Sequence, residues 1–281
     1  MDYHQMKTTA IVLHNRPIAK DIRSMLLTAP GIASSAVPGQ FVMVSVSDDG
    51  GLFLRRPLSF AGIDAQAGTV ELIYRTVGQG TSRMEGWKSG RPVDLLGPLG
   101  NGFCPDEAPT QVILAGGGLG IAPLLPLARE LRSRDIGVTV FAGAASMDLM
   151  FGLSTFTDCG CALQLATDDG TGGFTGPVTL PLGDYLRQHF PQPGTQSDIP
   201  PGTQRGMLYA CGPQPFLKAV AALCRDHRLA ARLSLEERMG CGFGACMGCS
   251  VQLTSADGTP VRKRVCADGP VFRSEEVFPD G

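Results

Sequence analysis

The feature that most constrains this chain is a group of cysteines toward its C-terminal end. Cys241, Cys246 and Cys249 stand as C-x4-C-x2-C, and Cys266 follows after a further segment. That is the spacing of plant-type [2Fe–2S] ligation, with three thiolates from one loop and the fourth from a distant strand. The loop reads Gly240-Cys241-Gly242-Phe243-Gly244-Ala245-Cys246-Met247-Gly248-Cys249. Its glycines let the backbone fold tightly and aim N–H groups at sulfur, which helps set a reduction potential. A zinc knot is the alternative, because four thiolates also bind Zn2+. Zinc sites usually carry two close Cys pairs, however, and here one C-x2-C is joined by a lone fourth cysteine. A hairpin is predicted nearby, Ser250–Thr254 and Val261–Val265 about a turn at Ala256-Asp257-Gly258. A segment this small needs something to bind it together.

The remaining cysteines do not suggest a disulfide framework. The total of nine is odd, and the opening MDYHQMKTTAIVLHNRPIAK has no apolar stretch of signal-peptide length. Cys104, Cys159, Cys161 and Cys224 read as small core or surface residues. Polar, Gly or Pro residues interrupt every apolar run before it could span a membrane. The expectation is a soluble cytoplasmic protein with no membrane partner. With 24 Lys+Arg against 26 Asp+Glu, no basic surplus points to nucleic acid.

At 281 residues, two compact domains plus a small appendage are expected. Within 1–104, the runs PGQFVMVSV after Pro38, PLSFAGI after Arg56 and TVELIYRTV after Gly68 suit an antiparallel β-barrel. The breaker-dense Gly97-Pro98-Leu99-Gly100-Asn101-Gly102 marks its end. Within 105–228 the order changes to strand, turn, helix, strand: Gln111–Ala115, Gly116–Gly120, Ala122–Arg134 and Val138–Ala142. Strands at Ala162–Thr167 and Gly206–Ala210 and a helix at Gln214–His227 complete a parallel α/β domain. The Pro-rich 191–204 reads as a surface insertion. The third part is 229–281.

Several segments could face a ligand. Arg55-Arg56-Pro57-Leu58-Ser59-Phe60 puts a cation and a hydroxyl on one strand. Period-2 geometry sends Arg56 and Leu58 to the face opposite Pro57 and Ser59, so taken singly an ordinary strand edge is the better reading. Ile73-Tyr74-Arg75 leads into Gly78-Gln79-Gly80-Thr81, a Gly turn and a helix start with Thr81 as cap, which offers N–H groups to an anion. Gly116-Gly117-Gly118-Leu119-Gly120 lies between strand and helix, where phosphate can approach the backbone. It is not a strict G-x-G-x-x-G, and a tight turn without ligand stays open. Cys211-Gly212-Pro213 follows a strand at the edge where open α/β sheets bind ligands, although a turn explains its Gly and Pro equally well. Thr167-Asp168-Asp169-Gly170 reads as a Gly loop.

With these residues in order, the chain resembles the ferredoxin-reductase family, and within it the electron-transfer subunits of class B, NAD-dependent dihydroorotate dehydrogenase. The resemblance runs through Pro38-Gly39-Gln40-Phe41, Arg56–Ser59, Ile73–Arg75, Gly80-Thr81, Gly116–Pro123 and Cys211–Pro213. Its most specific stretch is Ser234-Leu235-Glu236-Glu237-Arg238-Met239, which runs into the cysteine loop. The resemblance implies that Arg56, Pro57, Leu58, Ser59, Ile73, Tyr74, Arg75, Gly80 and Thr81 hold FAD. The first and last groups would meet its pyrophosphate, the middle one its isoalloxazine ring. It implies that Gly116, Gly117, Gly118, Gly120, Cys211, Gly212 and Pro213 hold NAD, with Cys211 near the nicotinamide. The four cysteines become cluster ligands. The implied partner is the FMN-binding catalytic subunit, two of each chain forming a heterotetramer of pyrimidine biosynthesis.

Electron counting agrees. A nicotinamide gives two electrons as hydride and a [2Fe–2S] cluster accepts one, so FAD is the converter between them. No catalytic acid, base or nucleophile is required of the protein, and none is assigned. The alternatives are a reductase subunit of a bifurcating ferredoxin:NADP oxidoreductase or a sulfhydrogenase, and a zinc-stabilised binding module. In the bifurcating relatives the first cluster cysteine is replaced, whereas Cys241 is present here. Residues 141–148, Phe-Ala-Gly-Ala-Ala-Ser-Met-Asp, contain no Arg or Lys to pair with a 2′-phosphate, and Asp148 would repel one. The specificity constant for flavin reduction is therefore expected to favour NADH over NADPH; equal constants would refute this.

Overall fold

The computed structural model describes residues 7–47, 51–103, 109, 111–191 and 206–279. Cys104 and residues 192–204 of the insertion lie outside the described residues. Strands β1 (Lys7–Ala19), β2 (Ile22–Thr28), β3 (Phe41–Val44), β4 (Arg56–Asp64), β5 (Thr69–Arg75) and β6 (Pro92–Leu99) close into an antiparallel barrel, in the order β1-β2-β5-β4-β3-β6. Alternation along the strands fills it: Ala10 and Val12, Met25 and Leu27, Val42 and Val44, Val70 and Leu72, Val93 and Leu95 are all buried in one core. Helices α1 (Pro30–Ala33) and α2 (Gln79–Glu85) add Ile32 and Met84 to it. The breaker-rich 97–102 hides the end of a strand, because Gly97 and Pro98 sit where the β3–β6 register shifts and β6 continues to Leu99.

The second sheet holds β7 (Gln111–Gly117), β8 (Gly137–Ala144), β9 (Ala162–Thr167), β10 (Phe174–Thr175), β11 (Gly206–Cys211) and β12 (Ala230–Ser234), all parallel. Helices α3 (Leu124–Ser133), α4 (Leu153–Asp158), α5 (Thr179–His189) and α6 (Gln214–Asp226) cover it. Strand β7 shows why its run is apolar throughout. Val112 and Leu114 enter the core with α3, while Ile113 and Ala115 enter the core with α5 and α6. The first of these cores also takes Ile22, Ala61, Ile73 and Phe103 from the barrel side. Phe103 meets Tyr209 edge-on at 5.4 Å.

The hairpin forms as read, β13 (Ser250–Thr254) with β14 (Pro260–Arg264). After it, β15 (Val271–Arg273) pairs antiparallel with β12 and becomes the last strand of the large sheet, followed by α7 (Ser274–Val277). The sheet thus runs past residue 228 into the cysteine-bearing segment.

The cysteine loop also leans on the barrel. Cys249, Leu253, Val265, Cys266 and Phe272 share one core with Phe41, Met43 and Leu99 of β3 and β6. Gly242 takes φ +84, and a Cβ there would lie 2.4 Å from Met43 Cγ, so only glycine lets the loop seat this closely. Asn101, just past β6, donates its side-chain N–H to the Asp268 carbonyl at 3.1 Å. Leu99→Ala is expected to cost ~2–5 kcal/mol in denaturant unfolding. It should also release iron from a loop it never touches in sequence; loss of stability with full iron retention would contradict the shared core.

Candidate functional site

Two clefts meet at Arg75. The first, about 980 Å3 including its part open to solvent, is lined on the barrel side by Pro57, Leu58 and Ser59, by Ile73, Tyr74 and Arg75, and by Thr81. Its other walls are Leu119, Ala122 and Pro123 after β7, and Ser234 to Glu237, Met239 and Pro270 beside the cysteine segment. The second, about 770 Å3, lies at the carboxyl ends of β7, β8, β9 and β11 and is lined by Gly117, Gly118, Gly143, Ala144, Ala145, Asp168, Pro213 and Phe216. That is the edge where open α/β sheets take nucleotides. Arg75 borders both clefts. Its Nε is buried without a hydrogen-bond partner, and a buried donor is costly unless a ligand atom meets it.

Arg55, just ahead of β4, and Arg56, its first residue, differ. Arg55 is held by Asp94 through two bonds, 3.2 Å to Oδ1 and 2.8 Å to Oδ2. Arg56 bonds the Leu54 carbonyl and its guanidinium packs over Gly80. Thr81 is not the helix cap expected from the sequence. Gly78 precedes the first turn, and the Thr81 hydroxyl reaches back to accept from the N–H groups of Val77 (3.0 Å) and Gly78 (3.2 Å). A hydroxyl one turn inside the helix can satisfy those donors as well as one at its start.

The glycine turn divides its labour. Gly117 and Gly118 face the second cleft, whereas Gly116 and Gly120 serve packing. A Cβ on Gly120 would fall 2.0 Å from the Cys211 carbonyl oxygen, so this residue lets the turn close on Cys211-Gly212-Pro213. Cys211 is buried, and burial, helped by the charge of Glu236, pushes its thiol up; it stands neutral behind the clefts. Asp148 does not border the second cleft: it pairs with Lys20 at 3.4 Å and accepts from the Ser146 hydroxyl. The carboxylate that faces the cleft is Asp168.

The four cysteines lie on the loop and just past the hairpin, with Cys249 and Cys266 brought together. The backbone N–H of Cys266 donates to the Cys249 sulfur at 3.4 Å, and that of Gly248 donates to the Cys246 sulfur at 3.4 Å. Among the described residues no group of three or more His, Cys, Asp or Glu is close enough to hold one metal ion. Burial pushes the Cys241 thiol up, but N–H groups of Phe243, Cys246 and Ala245 outweigh it and bring it down to about 7. Cys266, buried and beside Cys249, is pushed up to about 12. Cys249 and Cys266 are buried and Cys246 is exposed.

The model for the iron–sulfur cluster binding domain of dihydroorotate dehydrogenase B matches residues 236–278. Over its length the chain is 39% identical across 268 residues to the electron transfer subunit of dihydroorotate dehydrogenase B (NAD(+)) of Geobacillus sp. (strain WCH70), covering 95% of this chain and 96% of the relative. The same subunit of Geobacillus thermodenitrificans (strain NG80-2) is 40% identical over 271 residues, covering 95% and 96%. This chain belongs to that family. Among solved structures, one of an NADH-dependent reduced ferredoxin-NADP oxidoreductase superposes with TM-score 0.79 at 29% identity, covering 95% of this chain and 89% of the other. A cytochrome P450 reductase from Amycolatopsis shares the fold, with TM-score 0.61 at 24% identity, covering 79% and 66%.

Membership in the dihydroorotate dehydrogenase B electron transfer family bears out the resemblance and the redox class, and the structure bears out the barrel and the parallel α/β domain. The zinc module is set aside. Not legible in the sequence were Leu119, Ala122 and Pro123 as walls of the first cleft, because they lie on the turn read as facing a nucleotide. Glu236, Glu237 and Met239 carried a signal, their position just ahead of the cysteine loop. Among the described residues no helix is long and apolar enough to cross a membrane. The purified protein is expected to hold two irons and two sulfides per chain, and Cys246→Ser should remove them while FAD stays bound. Stoichiometric zinc without iron, or joint loss of iron and flavin, would contradict this account.

Proposed function

We propose that this chain channels electrons between NAD(H) and the FMN-containing catalytic subunit of dihydroorotate dehydrogenase, using FAD and a [2Fe–2S] cluster. The observation that carries the proposal is the sharing of Arg75 between the two clefts, with Met239 and Pro270 joining the first cleft to the cysteine segment. Arg56 to Ser59 and Gly80-Thr81 hold the FAD pyrophosphate, and Ile73 to Arg75 the isoalloxazine ring. Gly117, Gly118 and Pro213 face NAD, with Gly116, Gly120, Cys211 and Gly212 shaping the turn behind it. Cys241, Cys246, Cys249 and Cys266 ligate the cluster. The chain works as a flavin unit of 1–104, a nicotinamide unit of 105–228 and a cluster unit of 229–281, the last two sharing a sheet.

FAD supplies the conversion between two-electron and one-electron transfer. The protein's own residues bind and orient. Arg75 offers a cation where the two clefts meet, Leu119, Ala122 and Pro123 keep water from the flavin wall, and Cys211 stays a neutral thiol because it is buried. No residue has to exchange a proton with dihydroorotate, whose chemistry belongs to the partner. Two copies of each chain assemble in the cytoplasm.

A second reading, a subunit of a bifurcating oxidoreductase, draws on the solved structure that superposes over most of the chain. The retained Cys241 and the higher identity to the dihydroorotate dehydrogenase subunits favour the first. Phe243 packs into the chain's own cysteine-loop core, which leaves Met247, 48% exposed beside Cys246, as the apolar contact for a partner. Met247→Glu should weaken association with the FMN subunit in a pull-down at least tenfold while NADH still reduces the bound flavin. Dihydroorotate oxidation by the isolated chain at the rate of the complex would overturn the division of labour.

A further inference from the structure

The strongest unexplained feature is an ion pair at the end of β14. The guanidinium of Arg264 donates to Asp268 twice, 3.0 Å from Nε to Oδ2 and 3.1 Å from Nη2 to Oδ1. The backbone N–H of Arg264 also donates to Asp268 Oδ2 at 2.7 Å. A planar fork held on two nitrogens by one carboxylate has a fixed orientation. Its remaining nitrogen, Nη1, donates to the Gly244 carbonyl at 3.0 Å, across 20 residues of chain and in the middle of the cysteine loop.

What lies on the far side of that carbonyl matters more. The N–H of the same peptide unit belongs to Ala245, which stands between Cys241 and Cys246 in the cysteine loop. Gly244 takes φ +91, and a Cβ there would lie 3.1 Å from Arg264 Nη1, so the guanidinium sits directly against the loop backbone. A cation on a carbonyl polarises its peptide and strengthens the bond made by the N–H beyond it.

We propose that Arg264, oriented by Asp268, is a positioning residue for the iron–sulfur cluster: by gripping the Gly244 carbonyl it fixes the peptide units between Cys241 and Cys246 and sets the cluster's reduction potential. The proposal rests on the [2Fe–2S] reading above. A [2Fe–2S] cluster held by these four thiolates would become one unit more negative when one ferric iron is reduced to ferrous, and a cation held against the loop would favour that state. Asp268 works in the opposite sense, since it offsets the cation while orienting it.

The test uses the full chain with its flavin and cluster, measuring iron, sulfide and the cluster midpoint potential by titration followed with electron paramagnetic resonance. Arg264→Gln should keep both irons and lower the equilibrium constant for one-electron reduction about tenfold, 59 mV for one electron. Asp268→Asn keeps Arg264 and its shape but removes the offsetting charge, so its midpoint should rise. A fully loaded Arg264→Gln protein with an unchanged potential overturns the proposal. If that variant holds no iron, Asp268→Asn decides: a rise supports the role, and no shift or a fall sinks it. Absence of iron from the unmodified protein would instead remove the [2Fe–2S] reading itself.

Discussion

Everything in this molecule depends on one packing contact, the seat of the cysteine loop on the floor of the barrel. Phe41, Met43 and Leu99 close one side of a small core whose other side is Cys249, Leu253, Val265, Cys266 and Phe272. None of these groups is large enough to bury itself alone, and the cysteine-bearing segment has too little apolar surface for an independent core. By leaning on the barrel it gains one. The same contact fixes the distance between the cluster ligands and the first cleft, because Phe41 belongs to both the shared core and the cleft wall. Stability and electron transfer therefore depend on the same side chains.

A second joint makes the path continuous. The core under α3 takes Ile22, Ala61 and Ile73 from the barrel together with Val112 and Leu114 from the sheet. The Ile73-Tyr74-Arg75 strand end is thereby held rigidly against the glycine turn. The two clefts share Arg75 because the two domains share this core. A carrier that must move two electrons in one step and single electrons in another gains from such rigidity, since transfer depends steeply on the placement of its partners.

Much of this could be read from residue order. The hairpin, the buried strands at 111–115 and 206–210, and the cysteine spacing followed from periodicity, turn residues and ligand chemistry, all of which are local. What escaped was set by tertiary contacts. Strand β6 was concealed by Gly97 and Pro98, which look like the end of structure and are in fact an irregularity within it. Thr81 carries the right chemistry for a cap but performs it from inside the helix. Asp148, expected against a nucleotide phosphate, is turned toward Lys20, a residue more than a hundred positions earlier. Arg264 gave no signal at all, because an Arg in a basic hairpin strand looks like a solvated charge until the loop it grips is folded beside it.

The uneven burial of the four thiols has one more consequence. Cys249 and Cys266 are sealed in the shared core while Cys246 stands in solvent. Of the four sulfurs, that of Cys246 is the one solvent reaches first, and the buried two lie behind it. The same opening admits dioxygen, and an exposed thiolate edge is where oxidative damage starts.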